Sequence, residues 1–481
     1  MAHAFSNFPA SPSPTSQISV VGISIPDFAR LLDRIPLRLA AVAAIWGTYQ
    51  ASAVAASPYV GSPAADAYSL PNPRVYRAPE EDYIYYAFPP TERTFQPFLW
   101  NSFSYDSNLF RLPNWASPDT NPPSKATDLF KSDFINKASV GTRLMLPFSR
   151  QMVEVYLRGD QNTYARNTNL DYTGWETKGI LHWELGDGFN GTLGARYGRE
   201  LAAFGNFTFT AKDLLPNWTY FWDGNYQIAP RWRVTGGVDY YSVYHTFDQG
   251  PNSRKGADYN ALTGRAGVTY EFSTGGLAML QYEHILGDYP YGQLNSIPIK
   301  GFDQDRIAGS VKYYISAKTV VEANLAYVQR IFTTGNVPNF FGPTWRLGMT
   351  YFPTAKTQVS AYGWHLLDQF IERASTFYTS DGAAIEPSWA PTEKMLLSAR
   401  IVWETREYPA GANTNDTSQA STLTGGGRNP VFSAGVSWSY EPVTFANFRI
   451  GYDHGFRSQQ GNAPFSGYSY DAVYGLMRLS Y

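Results

Sequence analysis

The chain has 481 residues, 38 basic against 40 acidic, and no cysteine. The near-neutral balance implies no polyanion-binding surface, so no nucleic-acid partner is expected. The missing thiols exclude disulfides, thiolate metal sites, cysteine nucleophiles and a lipidated cysteine together. Aromatic residues reach 16%, equal to the charged fraction, beside a mean hydropathy of −0.32. Soluble domains carry about a quarter charged residues, whereas one lipid face, one wet face and aromatic girdles give this profile.

Residues 1–55 read as an N-terminal extension followed by a secretory signal. Arg30, Arg34 and Arg38 form its basic region, Leu39 to Trp46 an apolar core too short to span a bilayer as a helix, and Ala53-Val54-Ala55 a small-residue cleavage site. Residues 56–95, rich in Pro, Tyr and Ala without helical or strand period, read as a short extended periplasmic leader.

From residue 96 to 481 the texture is period-two alternation. Trp232, Val234, Gly236, Val238 and Tyr240 share one face of a strand, and Arg233, Thr235, Gly237, Asp239 and Tyr241 the other. Phe432, Ala434, Val436, Trp438 and Tyr440 repeat this, as do Phe448, Ile450 and Tyr452. Met395 to Trp403 alternates less cleanly, because Leu396 and Val402 interrupt its polar set. A soluble sandwich alternates likewise, so the connections decide. Short ones stand at Pro147–Arg150, Gly186–Gly188, Ala229–Arg231, Ser273–Gly275, Ser316–Lys318, Pro353–Lys356, Pro391–Glu393 and Glu441-Pro442. Long polar ones stand between them, near Arg111–Ser132, Leu201–Leu215, Phe247–Gly256, Leu286–Phe302 and Pro409–Arg428. Turns of alternating length at the two ends predict an all-β, antiparallel transmembrane barrel of about 18 strands in a bacterial outer membrane. Val473, Gly475, Met477, Leu479 and Tyr481 alternate up to a terminal aromatic, resembling the closing-strand signal read by the barrel-assembly machinery.

A barrel of about 16–18 strands encloses an aqueous channel. The candidate lumen-facing residues are Arg158, Arg196, Arg233, Asp239, Arg265, Arg306, Arg346, Arg400, Glu404 and Arg449, with Tyr156, Tyr241 and Tyr314. Cross-strand ion pairing would account for the charges, and inward tyrosines would suit sugar rings, which have apolar faces and polar edges. Catalysis, cofactors and metals are not expected. His3, His182, His245, His284, His365 and His454 lack metal-ligand spacing, no G-x-S-x-G elbow occurs, and Asp106-Ser107-Asn108 lacks the Gly and closing Glu of a calcium loop.

Five segments in one order carry a resemblance. They are Tyr105–Leu112 (YDSNLFRL), Leu170–Gly174 (LDYTG), Gly287–Pro290 (GDYP), Asn339–Thr344 (NFFGPT) and Pro387–Thr392 (PSWAPT). The chain resembles the EpsL-type outer-membrane β-barrels of exosortase-associated exopolysaccharide biosynthesis loci. It departs in a Gly/Asn/Thr-rich loop at Pro409–Arg428, and in Asn-Phe-Phe where the fourth motif would read closer to Arg-Asp-Phe. The resemblance implies a non-catalytic route for exopolysaccharide through the lipid bilayer, working with periplasmic or inner-membrane export components. It carries no catalytic or ligand residues. A general or solute-specific porin is the alternative, and a barrel enzyme a more distant one.

Overall fold

A computed structural model describes residues 94–114, 129–204, 210–248, 253–273, 276–294, 297–334, 338–372, 375–409, 427–461 and 466–480. The expected signal segment, the leader up to residue 93 and Tyr481 lie outside these residues. Eighteen long strands form the wall. The first six are β1 (Phe95–Asp106), β2 (Asp133–Phe148), β3 (Gln151–Tyr164), β4 (Tyr172–Leu185), β5 (Phe189–Leu201) and β6 (Leu214–Ala229). The next six are β7 (Trp232–Val243), β8 (Tyr259–Glu271), β9 (Leu277–Asp288), β10 (Gly301–Ser316), β11 (Thr319–Phe332) and β12 (Phe340–Thr354). The last are β13 (Thr357–Glu372), β14 (Ser375–Thr392), β15 (Met395–Tyr408), β16 (Gly427–Val443), β17 (Ala446–Arg457) and β18 (Tyr468–Ser480).

Each strand pairs antiparallel with its chain neighbours. β1 also pairs with β18, from Phe98↔Ser480 to Asp106↔Ala472, so the sheet closes and leaves no edge. Closure lets the ladder hydrogen bonds be made within the wall, the condition for crossing hydrocarbon with strands.

The short turns gather at one end and the longer connections at the other, the arrangement of an outer-membrane barrel with its short turns in the periplasm. Two expectations are corrected. The turn placed at Glu441-Pro442 falls later, because β16 runs to Val443 and β17 starts at Ala446. At the loop end, β13 and β14 are joined by only two residues, Glu372 and Ser375 being the flanking pair; the strands themselves run on instead, 16 and 18 residues long.

Pleating sorts the side chains. Outward positions include Phe103, Val140, Leu280 and Ile307, each 58–63% exposed, with Trp222, Trp232, Val238, Val436 and Ile450 among many others. Apolar exposure of this extent on a closed surface belongs to a lipid-facing wall, not to a solvated one. The chain is an outer-membrane β-barrel. The uneven strand is also explained: Leu397, Ile401 and Trp403 face outward, while Val402 is buried inside against Trp364.

Inside, several rings lie flat over a glycine directly opposite on the neighbouring strand. Phe98 covers Gly141, Phe221 covers Gly194, Trp364 covers Gly382, and Tyr474 covers Gly451. A Cβ at those glycines would overlap the ring, so the missing side chain is what lets a large aromatic fit against the wall.

Candidate functional site

In an antiparallel pair, residues directly opposite point to one face, so register propagates orientation round the wall from Trp100, buried inside β1. Trp100 opposes Ser139, Arg143 opposes Tyr156, and Arg158 opposes Glu176; Lys178 then opposes Arg196. Further round, Asp239 opposes Thr263, Arg265 opposes Glu283, and Arg306 opposes Glu283 from the other side. Arg346 opposes Asn324 and Trp364, Glu404 opposes Gly382, Arg400 opposes Gly435, and Gly435 opposes Asp453. By this register Arg158, Arg196, Arg233, Asp239, Arg265, Arg306, Arg346, Arg400, Glu404 and Arg449 share the inner face, with Tyr156, Tyr241 and Tyr314.

These charges are mostly neutralised where they stand. Glu176 is a hub, within 3.1 Å of Arg158, 2.9 Å of Lys178 and 3.4 Å of Arg196. Arg158 also reaches Asp160 at 3.0 Å, and Ser139 Oγ donates to the same carboxylate at 2.5 Å. Nearer the turns, Glu154 takes Arg143 at 2.7 Å and His182 at 3.2 Å. Across the barrel, Arg265 bridges Asp223 and Asp239. Arg306 holds Asn324 at 3.0 Å beside Glu283, and Arg400 holds Glu386 at 3.1 Å. A chain runs from Trp364 Nε1 to Ser380 Oγ (3.0 Å), on to Glu404 (2.9 Å), with Arg406 at 3.1 Å from the same oxygen. Arg233 pairs with Glu271, Arg449 donates to Ser437, and Arg346 lies over the Tyr362 ring. Asp160, Asp223, Glu283, Glu386 and Arg406 complete this network. Alternation places all five on the inner face, and for Asp223, Glu283 and Glu386 the partner lies on another strand.

The tyrosines divide. Tyr156 is buried, stacked 5.7 Å from Phe98 and capped by Lys178. Tyr241 is buried in an aromatic cluster with Tyr259, Tyr289, Phe302 and Phe332. Only Tyr314 of the three stands accessible, at 36%. Of these three tyrosines, then, only the Tyr314 ring is open to the lumen.

At the loop end the connections fold onto the inner wall. Tyr289 and Ile299 pack on the inward residues of β8 to β11, joined by Phe377 from the β13–β14 hairpin. On the other side, Leu109, Phe110 and Leu112 pack with Tyr164, Leu170 and Phe204. Arg111 anchors that turn. It adopts a left-handed backbone (φ 54°), which a non-glycine residue takes only when its surroundings hold it there. Its guanidinium pairs with both Asp106 oxygens and lies 3.8 Å over Tyr470, while the Asn108 amide bridges Leu112 O and Ser469 O. The carboxylate of Asp133 accepts from the Arg166 and Asn167 backbones and the Asn167 amide, tying a second loop to the rim. In the loop after β7, burial pushes the Arg254 guanidinium down to about 10, opposed by the nearby Asp213 carboxylate. Four of the five motif segments lie at this end, and only Pro387–Thr392 lies at the turns.

Among the described residues no group of three or more His, Asp or Glu could hold a metal ion. No protein-family model matches the chain, and no curated protein matches it. Solved structures with a similar course include Pseudomonas aeruginosa OpdK with vanillate, at 10% identity, covering 80% of this chain and 99% of that one with a TM-score of 0.46. Pseudomonas aeruginosa OccK9 (OpdG) gives 10% identity, 80% and 98% coverage and a TM-score of 0.43. The alcaligin outer-membrane receptor FauA of Bordetella pertussis gives 11%, 80% and 76%, with 0.38.

Proposed function

We propose that this barrel exports an exopolysaccharide across the outer membrane, as a non-catalytic conduit receiving polymer from periplasmic or inner-membrane export components. The observation that carries the reading is the placement of the ordered motifs. The segments Tyr105–Leu112, Leu170–Gly174, Gly287–Pro290 and Asn339–Thr344 all shape the loop-end mouth, where a polymer would leave. The inner wall supports it further. Its guanidinium groups are met by carboxylates across the strands, so the wall is hydrophilic with little local field, a surface that wets a sugar chain without holding it electrostatically.

One observation favours a general or solute-specific porin instead. Loop residues such as Phe110 and Tyr289 pack onto the inner wall, which narrows the mouth as a small-solute channel requires. Deleting the gene separates the two. Export predicts loss of surface polymer with unchanged uptake of small nutrients, restored by the intact gene. Polymer at the wild-type level in the deletion strain, with slowed solute uptake, would replace export by the porin reading.

A further inference from the structure

Three histidine–aspartate pairs stand on the outside of the barrel, on a face that is mostly apolar. His284 opposes Asp305 on β9 and β10, His365 opposes Asp381 on β13 and β14, and His454 opposes Asp471 on β17 and β18. In each, Nδ1 lies 2.7–2.9 Å from the carboxylate Oδ1. Twice a tyrosine two residues before the histidine adds its hydroxyl to that oxygen, Tyr282 at 2.5 Å and Tyr452 at 2.6 Å. The three carboxylates are about half exposed, 46–53%.

Their height on the wall is telling. Toward the turns, the next outward residues on these strands are apolar, among them Leu280, Ile307, Ile385, Ile450 and Val473. Toward the loops Leu286 and Phe456 carry the apolar face one position further, and beyond Leu286 the β9–β10 face turns acidic, with Asp288 and Asp303 exposed. The pairs therefore stand near the upper edge of the apolar band. A charged pair deeper in hydrocarbon would be costly, and tyrosine with a polar tip belongs at the headgroup level. An exposed ion pair adds little to stability, so three such pairs at matching register call for another role.

We propose that these pairs dock the phosphorylated headgroups of outer-leaflet lipid. A carboxylate oxygen only accepts, so each histidine carries its proton on Nδ1 and turns Nε2 outward. As imidazolium, Nε2–H donates to a lipid phosphate oxygen, and the aspartate orients the ring from behind. Lipid is the occupant because the sites are spread over three separate sectors of the wall. One protein partner could not cover them all, whereas a lipid shell does.

Native mass spectrometry of the purified barrel in detergent with diphosphoryl lipid A tests this. The native protein should retain up to three lipids, dephosphorylated lipid A should be held far less, and millimolar inorganic phosphate should compete without remaining bound. In H284N/H365N/H454N each site should weaken about tenfold, the change expected on losing a charge-assisted hydrogen bond. Heat-modifiable migration checks folding. If the triple variant does not fold, the single variants should each lower the bound number by one. Equal retention of phosphorylated and dephosphorylated lipid, or unchanged retention in the folded variants, overturns the proposal.

Discussion

Replacing Arg265 by methionine separates polar burial from hydrophobic packing in this wall. The Arg265 side chain is 8% exposed and bridges Asp223, 30% exposed, and Asp239, which is fully buried. Methionine fills most of the same volume, so little cavity energy is lost. What remains is Asp239, enclosed and facing Glu283 two strands away without its guanidinium. Removing one partner of a buried pair destabilises by about 3–5 kcal/mol; Asp223 rehydrates from the lumen and adds little. With a urea slope of about 3 kcal/mol per M for a chain of this size, the unfolding midpoint in lipid vesicles should fall by about 1–1.7 M. Tryptophan fluorescence of the many wall tryptophans would report the transition, and heat-modifiable migration would confirm the barrel. D239N/R265M should recover at least half of the loss, because the enclosed group is then neutral. A midpoint for R265M within error of the native one, or a double variant no more stable than R265M, would refute the argument that the inner charges are mutually required.

Gly382→Ala should cost about 1–3 kcal/mol, since the new Cβ would run into the Trp364 ring and come within 2.8 Å of the Trp403 carbonyl oxygen. Gly475→Ala, with nothing within 4 Å of its Cβ, serves as the control, and the same denaturation assay should show it unchanged or slightly stabilised. Epitope tags at Asn252 and Asn413 should be labelled on intact cells and tags at Ala355 and Pro391 should not; labelling of the latter two would invert the orientation.

Alternation alone determined most of the wall. A strand's two faces are set by odd and even positions, so the alternation itself assigns the apolar sets of Trp232 to Tyr240, Phe432 to Tyr440 and Phe448 to Tyr452 to lipid and their neighbours to the lumen. The lengths of the connections determined which end carries the loops, and a strand count near 18 followed from the same spacing. Partnership was decided only in three dimensions. Which carboxylate meets Arg158 or Arg265 depends on cross-strand register, and a shift of one residue would move every side chain to the other face. Tyr156 and Tyr241 carry the same inward signature as Tyr314, yet they are buried because Phe98 and the inward-folded loops cover them. The pairing of large rings with glycines, the Arg111–Tyr470 contact and the outward His–Asp pairs likewise join residues that neighbouring strands bring together. Sequence periodicity fixes the direction of each side chain from its own strand, whereas contact depends on the neighbouring strand, and only the closed barrel brings the two together.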